Sequence, residues 1–507
     1  MACDLAAHIT LIVAGGSLRS RISRHLGPAR EEPSAVRREA LAAGLVLRVA
    51  EVDVEVVPPE FNGRDYAIFL LHVAAEIEHS LMVQYLFAAY SLGGPTVPEG
   101  RQADVRAWQE TILGIAKEEM AHLITIQNLL TALGAPLNLD REDYPHGSAF
   151  YPFGFKLRPA SLDSLATYVC AESPQEWDDE EAQEIKRRAQ ADVGMPVNRV
   201  GELYAKLLRV LGDQALIPDT AFDATSLPFQ ASWDEWGRGY RQGQRGREPM
   251  SSLPELPAPE LLIVRVDSRA AAIAALEQVS EQGEGFDLPA DENESHFRRF
   301  LAIYRAMKAL GDEVGKVVRP VATNPTTDPT AHNAGEPADA DTQTPIVHPE
   351  AKLWAHLFNV RYRKLLVSLS HAFELAAGPA DQPALSPRGP LIHRAFSEMY
   401  QLRAIAGLLV GLPVDGAHPD GPRAGPPFQM PYTLMLPHAE DDRWRLHRDL
   451  LDAAARLMER LRRTNGAGHR KDYLVAQTRG DEIERGQLEQ LIAGSARQPA
   501  VNGGPLR

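Results

Sequence analysis

Residues 70–92 read LLHVAAEIEHSLMVQYLFAAYSL, and residues 112–133 read ILGIAKEEMAHLITIQNLLTAL. The first belongs to a run from Arg64 to Leu92 that contains no Gly or Pro and stops at Gly93-Gly94-Pro95. The second belongs to a run from about Ala103 to Leu133 that stops at Gly134-Ala135-Pro136. Glycine followed by proline is the punctuation expected just past a helix end, so two long helices are predicted. Each carries an acid where its apolar pattern calls for a hydrophobic residue. Steps of three and four from Glu78 land on Leu71, Ala74, Ala75, Leu81, Met82 and Tyr85. The same steps from Glu119 land on Ile112, Ile115, Ala116, Leu123 and Ile126, with His122 one turn on. A carboxylate buried without a partner is costly enough that it must neutralise or find a cation.

Glu119 and His122 are three residues apart, so both side chains project to one side of the helix and can reach one ion. A single Glu-x-x-His is common on solvated helix faces as a plain ion pair. Two helices that each bury an acid change the balance, because dimetal helical bundles are built by pointing Glu and Glu-x-x-His side chains into their cores.

Working outward, shorter helices are predicted near 161–173, 179–191, 198–212 and 268–283, and a longer one from Glu294 to about Val318. The irregular stretch 213–262 holds Phe222, Phe229, Trp233, Trp236 and Tyr240. A loop so long and so aromatic reads as a covering lid. Residues 322–349 are rich in Pro, Thr, Asp and Ala and read as a flexible linker. Beyond them, helical patterns at 350–377, 389–411 and 439–465, with a weaker one near 480–494, make a C-terminal helical domain over 350–494. Residues 1–60 read as an N-terminal arm, with Val52, Val54, Val56 and Val57 forming a short strand or extended piece, and 495–507 read as a disordered tail. The metal-binding bundle would occupy 61–320.

The 507 residues suggest roughly three domains by length. Charged residues at 24% and hydrophobic ones at 44% exclude a wholly disordered or fibrous chain. Fifty-three Lys and Arg stand against 68 Asp and Glu, a net charge of −15. That balance repels phosphate backbones and anionic lipid heads, so neither nucleic acid nor membrane is an expected partner. Cys3 and Cys170 are the only cysteines, too few for a disulfide framework. The apolar stretch Ala404–Val414 is short of the roughly 20 residues that span a bilayer, so no transmembrane helix is expected. Without a convincing leader, the expected location is cytoplasmic.

A second set of ligands should lie further along. Glu277, Glu281 and Glu284 crowd a predicted helix C-terminus, the negative pole of its dipole, where acids are unfavourable unless a cation is near. The plainer reading is a solvated acidic cap. His296 opens a helix whose stripe continues through Phe300, Ile303 and Met307, which puts its imidazole on the core side. For a further Glu, periodicity favours Glu172, which follows Leu162, Leu165 and Val169, over Glu202, which points away from Val200, Leu203, Tyr204, Leu207 and Leu211.

Residues 61–310 resemble a known family, the ferritin-like domain of the iminophenyl-pyruvate dimer synthase type found in violacein and rebeccamycin pigment synthases. The resemblance lies in Ala75-Glu76-Ile77-Glu78-His79 running on to Gln84-Tyr85-Leu86, in Lys117 to His122, in Gly201-Glu202-Leu203-Tyr204, in Glu281-Gln282-Gly283-Glu284-Gly285, and in Ser295-His296-Phe297 with Arg299-Phe300. Ala424-Gly425-Pro426-Pro427-Phe428 is similar to the family's C-terminal extension. The resemblance implies an all-α fold: a ferritin-like four-helix bundle with long loop insertions plus a C-terminal helical domain. It implies metal binding by Glu78, Glu119, His122, Glu202, Glu281 and His296, with Glu202 carried over against the periodicity. Glu284 would be a spare ligand or proton carrier, and Tyr85 and His79 would orient ligands. A surface strip of His72, Glu76 and His79 is the alternative for the first helix. The fourth bundle helix departs from a plain Glu-x-x-His, which leaves one or two ions open.

Carboxylate-rich, imidazole-poor ligation suits iron or manganese over zinc. The expected function is an oxidoreductase that uses O2 or peroxide to oxidise or couple a small amine-, imine- or indole-type metabolite, in a chain compatible with a homo-oligomer. The rival expectations are a ferroxidase or iron-handling protein and a metal-free structural or partner-binding helical module.

Overall fold

A computed structural model describes residues 57–144, 146, 151–193, 197–236, 249–250, 253–257, 261–284, 295–327, 343–378, 386–430, 434–464, 468 and 470–495. Most of the N-terminal arm, Tyr240 of the aromatic stretch, the middle of the 322–349 segment and nearly all of the tail lie outside these residues.

Two long helices, α1 (Gly63–Ser91) and α2 (Gln102–Ala132), pair along their length. Asn62 starts α1 by accepting a hydrogen bond from the Asp65 amide, and Gly93 and Gly94 end it with positive φ. Gly134, at φ +64, closes α2 in the same way. Around this pair stand α3 (Leu162–Ala171), α4 (Glu180–Val193), α5 (Val200–Gly212), the single turn α6 (Trp233–Trp236), α7 (Arg269–Glu284), α8 (His296–Lys308) and the short α9 (Val314–Val317). α7 packs on α5, which leans on α1, and α8 packs on α3 and touches α2. The fold is the expected all-α ferritin-like bundle, but its second pair of walls is built from short helices.

The helix predicted from Glu294 to Val318 divides. It begins at His296, capped by Ser295, and breaks after Lys308, where Gly311 takes φ +55 before α9 begins. By length and composition Gly63–Ser91 could cross a bilayer, contrary to the sequence expectation. Seventy-two per cent of its apolar window is buried, so that hydrophobicity is used inside the fold.

The C-terminal helices are α10 (Pro349–Phe373), α11 (Gly389–Leu409), α12 (Glu440–Arg463) and α13 (Lys471–Ser495), the last starting earlier than its weak pattern suggests. Their apolar residues join those of the bundle in one buried cluster. Loops make the junction. Arg141 donates to the Phe428 carbonyl and lies 5.0 Å from the Phe155 ring centre, Tyr144 donates to the Pro427 carbonyl, and His79 on α1 hydrogen-bonds Tyr362 on α10. The segment expected as a linker is held at both ends, where Pro325–Thr326 pairs in parallel with Thr344–Pro345.

Residues 213–262 do not form the expected lid over the candidate metal cluster, whose cavity none of them lines among the described residues. Their aromatic surface packs sideways instead. Asn128 of α2 donates to the carbonyls of Ala231 and Val264, and Thr125 donates to that of Leu262. Fully buried Arg388 clamps Glu235 and the carbonyls of Phe229 and Gln230, fixing this stretch to the start of α11.

Inside the C-terminal bundle, Arg361 and Lys364 of α10 share Glu398 of α11 and reach Asp481 and Glu484 of α13. Burial pushes the Glu398 carboxyl up, but these two cations outweigh it and hold it below its ordinary value. Its stabilising charge is therefore present above about pH 4.5 and is lost as pH falls through the depressed folded value. We expect Glu398→Gln to destabilise the protein at pH 7 by about 3–5 kcal/mol, the usual cost of leaving a buried ion uncompensated. It should also flatten the acid limb of stability. Thermal unfolding of both proteins from pH 7 to pH 3 checks this, and parallel curves would refute it.

Candidate metal centre

Five ligand-type side chains from four elements meet between the helices. Glu78 comes from α1, Glu119 and His122 from α2, Glu172 from the C-terminal cap of α3 and His296 from the first position of α8. All five are buried, none more than 3% exposed. They fall into two overlapping groups, Glu78–Glu119–His122 and Glu119–Glu172–His296, in each of which one ligand atom per residue lies within 4.8 Å of the others. Glu119 belongs to both. Its Oε2 is 3.0 Å from His122 Nδ1 and its Oε1 is 2.9 Å from His296 Nδ1. Glu78 Oε2 is 3.4 Å from the first imidazole, and Glu172 Oε2 is 3.8 Å from the second. The imidazole centres are 5.5 Å apart.

The donor set fits a cation. Glu78 Oε2, Glu119 Oε1 and His296 Nδ1 are buried and make no aligned hydrogen bond, even where the atoms are close. Ligand-type atoms of both groups lie close enough together to face one ion each. The other oxygens are tied outward. Tyr204 of α5 donates to Glu78 Oε1, and Tyr85 donates to Glu172 Oε1 at 2.5 Å. Either one ion or two could be held, with Glu119 belonging to both groups.

Without a cation, the cluster stores its charge as protons. Burial would lower the His122 imidazole, but its hydrogen bond to Glu119 and the nearby Glu78 carboxylate outweigh it and hold it up to about 10. Burial would likewise lower His296, and Glu119 and Glu118 carry it well above the ordinary histidine value. Burial and the neighbouring Glu119 raise Glu78, whereas Glu119, beside both imidazoles, is held well below the usual carboxylate range against its burial.

The sequence-predicted residues are not all brought together. Glu202 is exposed on α5 and pairs with Arg199 at 3.1 Å. It lies midway between buried Val200 and Tyr204, about 200° around the helix from each. Glu281 is exposed for the same reason, midway between buried Val279 and Gly283. Glu172 takes the place expected of Glu202, as the periodicity alone preferred. Glu284 lines the cavity with Oε1 buried and unbonded, and burial pushes its carboxyl up to about 7. His72 and Glu76 are only half-buried, and His79 turns to Tyr362, so the first-helix strip falls outside both groups.

Four contributors were not singled out from the sequence. Gln282 Oε1 is 2.7 Å from His122 Nε2. Glu118 bonds His296 Nε2 at 3.1 Å and is paired with Arg299, and although burial opposes this, the cation and the imidazole hold its carboxyl at about 2. Gly201 lies so close to the Glu284 carboxylate that any Cβ there would overlap it, and a Cβ on Gly283 would sit 3.2 Å from Glu172 Oε2. The signal was present in the quoted phrases, whose Gly, Gln and Tyr residues matter more to this cluster than Glu202 and Glu281.

Carboxylates and imidazoles converging from the walls of a helical bundle are an arrangement that could hold a metal ion. Residues 71–305, a little under half of the chain, match the family model described as Ferritin-like. It is 26% identical over 455 residues to dichlorochromopyrrolate synthase of Lentzea aerocolonigenes, covering 81% of this chain and 41% of that one. It is 29% identical over 261 residues to 2-imino-3-(indol-3-yl)propanoate dimerase of Chromobacterium violaceum, covering 45% and 22% respectively. The chain thus spans less than half the length of these curated relatives. A ferritin-like protein from Caulobacter vibrioides aligns with 65% of this chain and 94% of its own at 19% identity and a TM-score of 0.36.

The placement of the two rival acids is directly testable. Glu172→Gln should lower the metal bound per chain, whereas Glu202→Gln should leave it at the wild-type value. Elemental analysis of the purified variants measures both, and loss on Glu202→Gln with retention on Glu172→Gln would reverse the assignment.

Proposed function

We propose that this protein is a non-haem metalloenzyme that binds iron or manganese through Glu78, Glu119, His122, Glu172 and His296, and oxidises or couples a small amine-, imine- or indole-type metabolite. The observation that carries the reading is the pair of buried groups sharing Glu119, with three ligand atoms left without hydrogen bonds. An all-oxygen and nitrogen donor set with carboxylates in excess favours hard, redox-active first-row ions. The bound metal would supply one-electron exchange and activation of the oxidant. The names of the two curated relatives, a synthase and an indole-imine dimerase, support the substrate class.

The chemistry balances with an external oxidant. Joining two such molecules through a new C–C bond at the expense of two hydrogens, or converting an amine to an imine, releases two electrons and two protons. O2 accepts them as H2O2, or peroxide accepts them as water. The chain's own residues set the stage. Tyr204 and Tyr85 hold the outer oxygens of Glu78 and Glu172, so the inner oxygens keep their direction. Glu284, with its raised carboxyl at the cavity wall, is placed to hold a proton near neutral pH. Leu81, Val200 and Val279 line the same cavity and limit water, leaving room for about one water-sized group.

Purified full-length protein should contain at least one Fe or Mn per chain and consume O2 with an indole-bearing imino acid or amine as substrate. Glu119→Ala should keep its helical circular dichroism while losing both metal and O2 uptake. Metal-free wild-type protein that still turns over would overturn the proposal, as would a Glu119→Ala variant with full metal content. Iron uptake without substrate oxidation would assign the bundle to iron handling instead.

A further inference from the structure

We infer that the two metal positions are unequal, and that the one formed by Glu119 Oε1, Glu172 and His296 fills first, because the two imidazoles are backed by acceptors of different charge. The inference rests on the metal-binding reading above and goes beyond it in assigning an order of loading.

Both imidazoles turn the same edge inward. His122 presents Nε2 to Gln282 Oε1 at 2.7 Å and Nδ1 to Glu119 and Glu78. His296 presents Nε2 to Glu118 Oε2 at 3.1 Å and Nδ1 to Glu119 at 2.9 Å. With an ion bound at Nδ1, each ring would keep its hydrogen on Nε2 and donate it outward, to the Gln282 amide oxygen in one case and to the Glu118 carboxylate in the other. There the symmetry of the two positions ends. Gln282 offers a neutral amide. Glu118 offers a carboxylate that is 3% exposed and paired with Arg299, which keeps it ionised and therefore an acceptor. A carboxylate accepting from Nε2–H shifts electron density to Nδ1 and makes it the more basic ligand.

A second asymmetry points the same way. Glu284 lines the cavity and its carboxyl group neighbours Glu172, so it stands as a further oxygen donor beside the His296 group. Gly283 opens the room for this crowding, since a Cβ there would meet Glu172 Oε2. On the His122 side the corresponding helix α7 contributes the uncharged Gln282 instead.

The test is titration of metal-free full-length protein with Mn(II), read by electron paramagnetic resonance and by competition with a chelator. The expected result is two binding steps separated by about tenfold or more, the range over which partners of ligating histidines act. The first equivalent should give a single-ion six-line spectrum, and the second should convert it to that of a spin-coupled pair. Glu118→Gln should weaken the first step by about 10–100-fold and draw the two steps together. Gln282→Glu should tighten the second step. If loss of the partner of Arg299 prevents Glu118→Gln from folding, Gln282→Glu still decides, because it removes no acceptor. Equal steps in the wild type, or a Gln282→Glu titration superimposable on it, would overturn the inference while leaving metal binding intact. Absence of any bound Mn(II) would overturn the metal-binding reading as well.

Discussion

Three carboxylates and two imidazoles held almost without solvent in a space a few ångströms wide form the interaction on which the rest of this structure depends. Like charges at such distances, with little water to screen them, cannot all ionise unless positive charge stands among them. In the protein alone that role falls to the two imidazoles. The surrounding architecture follows from the need to keep these groups apart from water yet close to each other. α1 and α2 supply three of the five from long, mostly buried helices, whose paired backbones fix Glu78, Glu119 and His122 with little freedom. The tyrosines and Glu118 then fix the outer edges, so each inner atom has one direction in which to point.

How much of this could be read from the chain depended on where each residue sits relative to its helix. Glu78 and Glu119 were legible because an acid in the middle of an apolar stripe breaks a pattern set by a dozen neighbours, and Gly-Pro punctuation fixed both helix ends. His296 was legible for the same reason on a shorter stripe. Glu172 was legible only from the short stripe of Leu162, Leu165 and Val169, because it caps a ten-residue helix. Family likeness pointed to Glu202, whereas the helical wheel pointed to Glu172, and the wheel agrees with the geometry. Glu118 and Gln282 stayed hidden because each adjoins a residue of similar polarity. Nothing local separates a core-facing Glu from its neighbour when a partner 178 residues away decides the matter.

The aromatic stretch shows the limit of reading function into composition. Its tryptophans and phenylalanines do need a surface to cover, but a hydrophobic surface exists wherever two helical layers meet. Asn128, Thr125 and Arg388 bind the backbone of this stretch and steer it to the seam between the bundle and the C-terminal helices. Periodicity sees the side chains that want burial, and the hydrogen bonds that choose the place are made by partners about 100 or more residues distant. The C-terminal helices have a separate logic. Their core holds a buried ladder of Arg361, Lys364, Glu398, Asp481 and Glu484 that ties three helices together.

The parallel pairing of Pro325–Thr326 with Thr344–Pro345 brings two points of the chain side by side although seventeen residues separate Thr326 from Thr344. An excursion that departs and returns at neighbouring points imposes no span on whatever lies between. For a flexible closed loop, lengthening costs only closure entropy, about 0.6 kcal/mol for each doubling. The protein thus carries a natural insertion point at which a whole reporter domain could be spliced into the chain without parting the helices on either side.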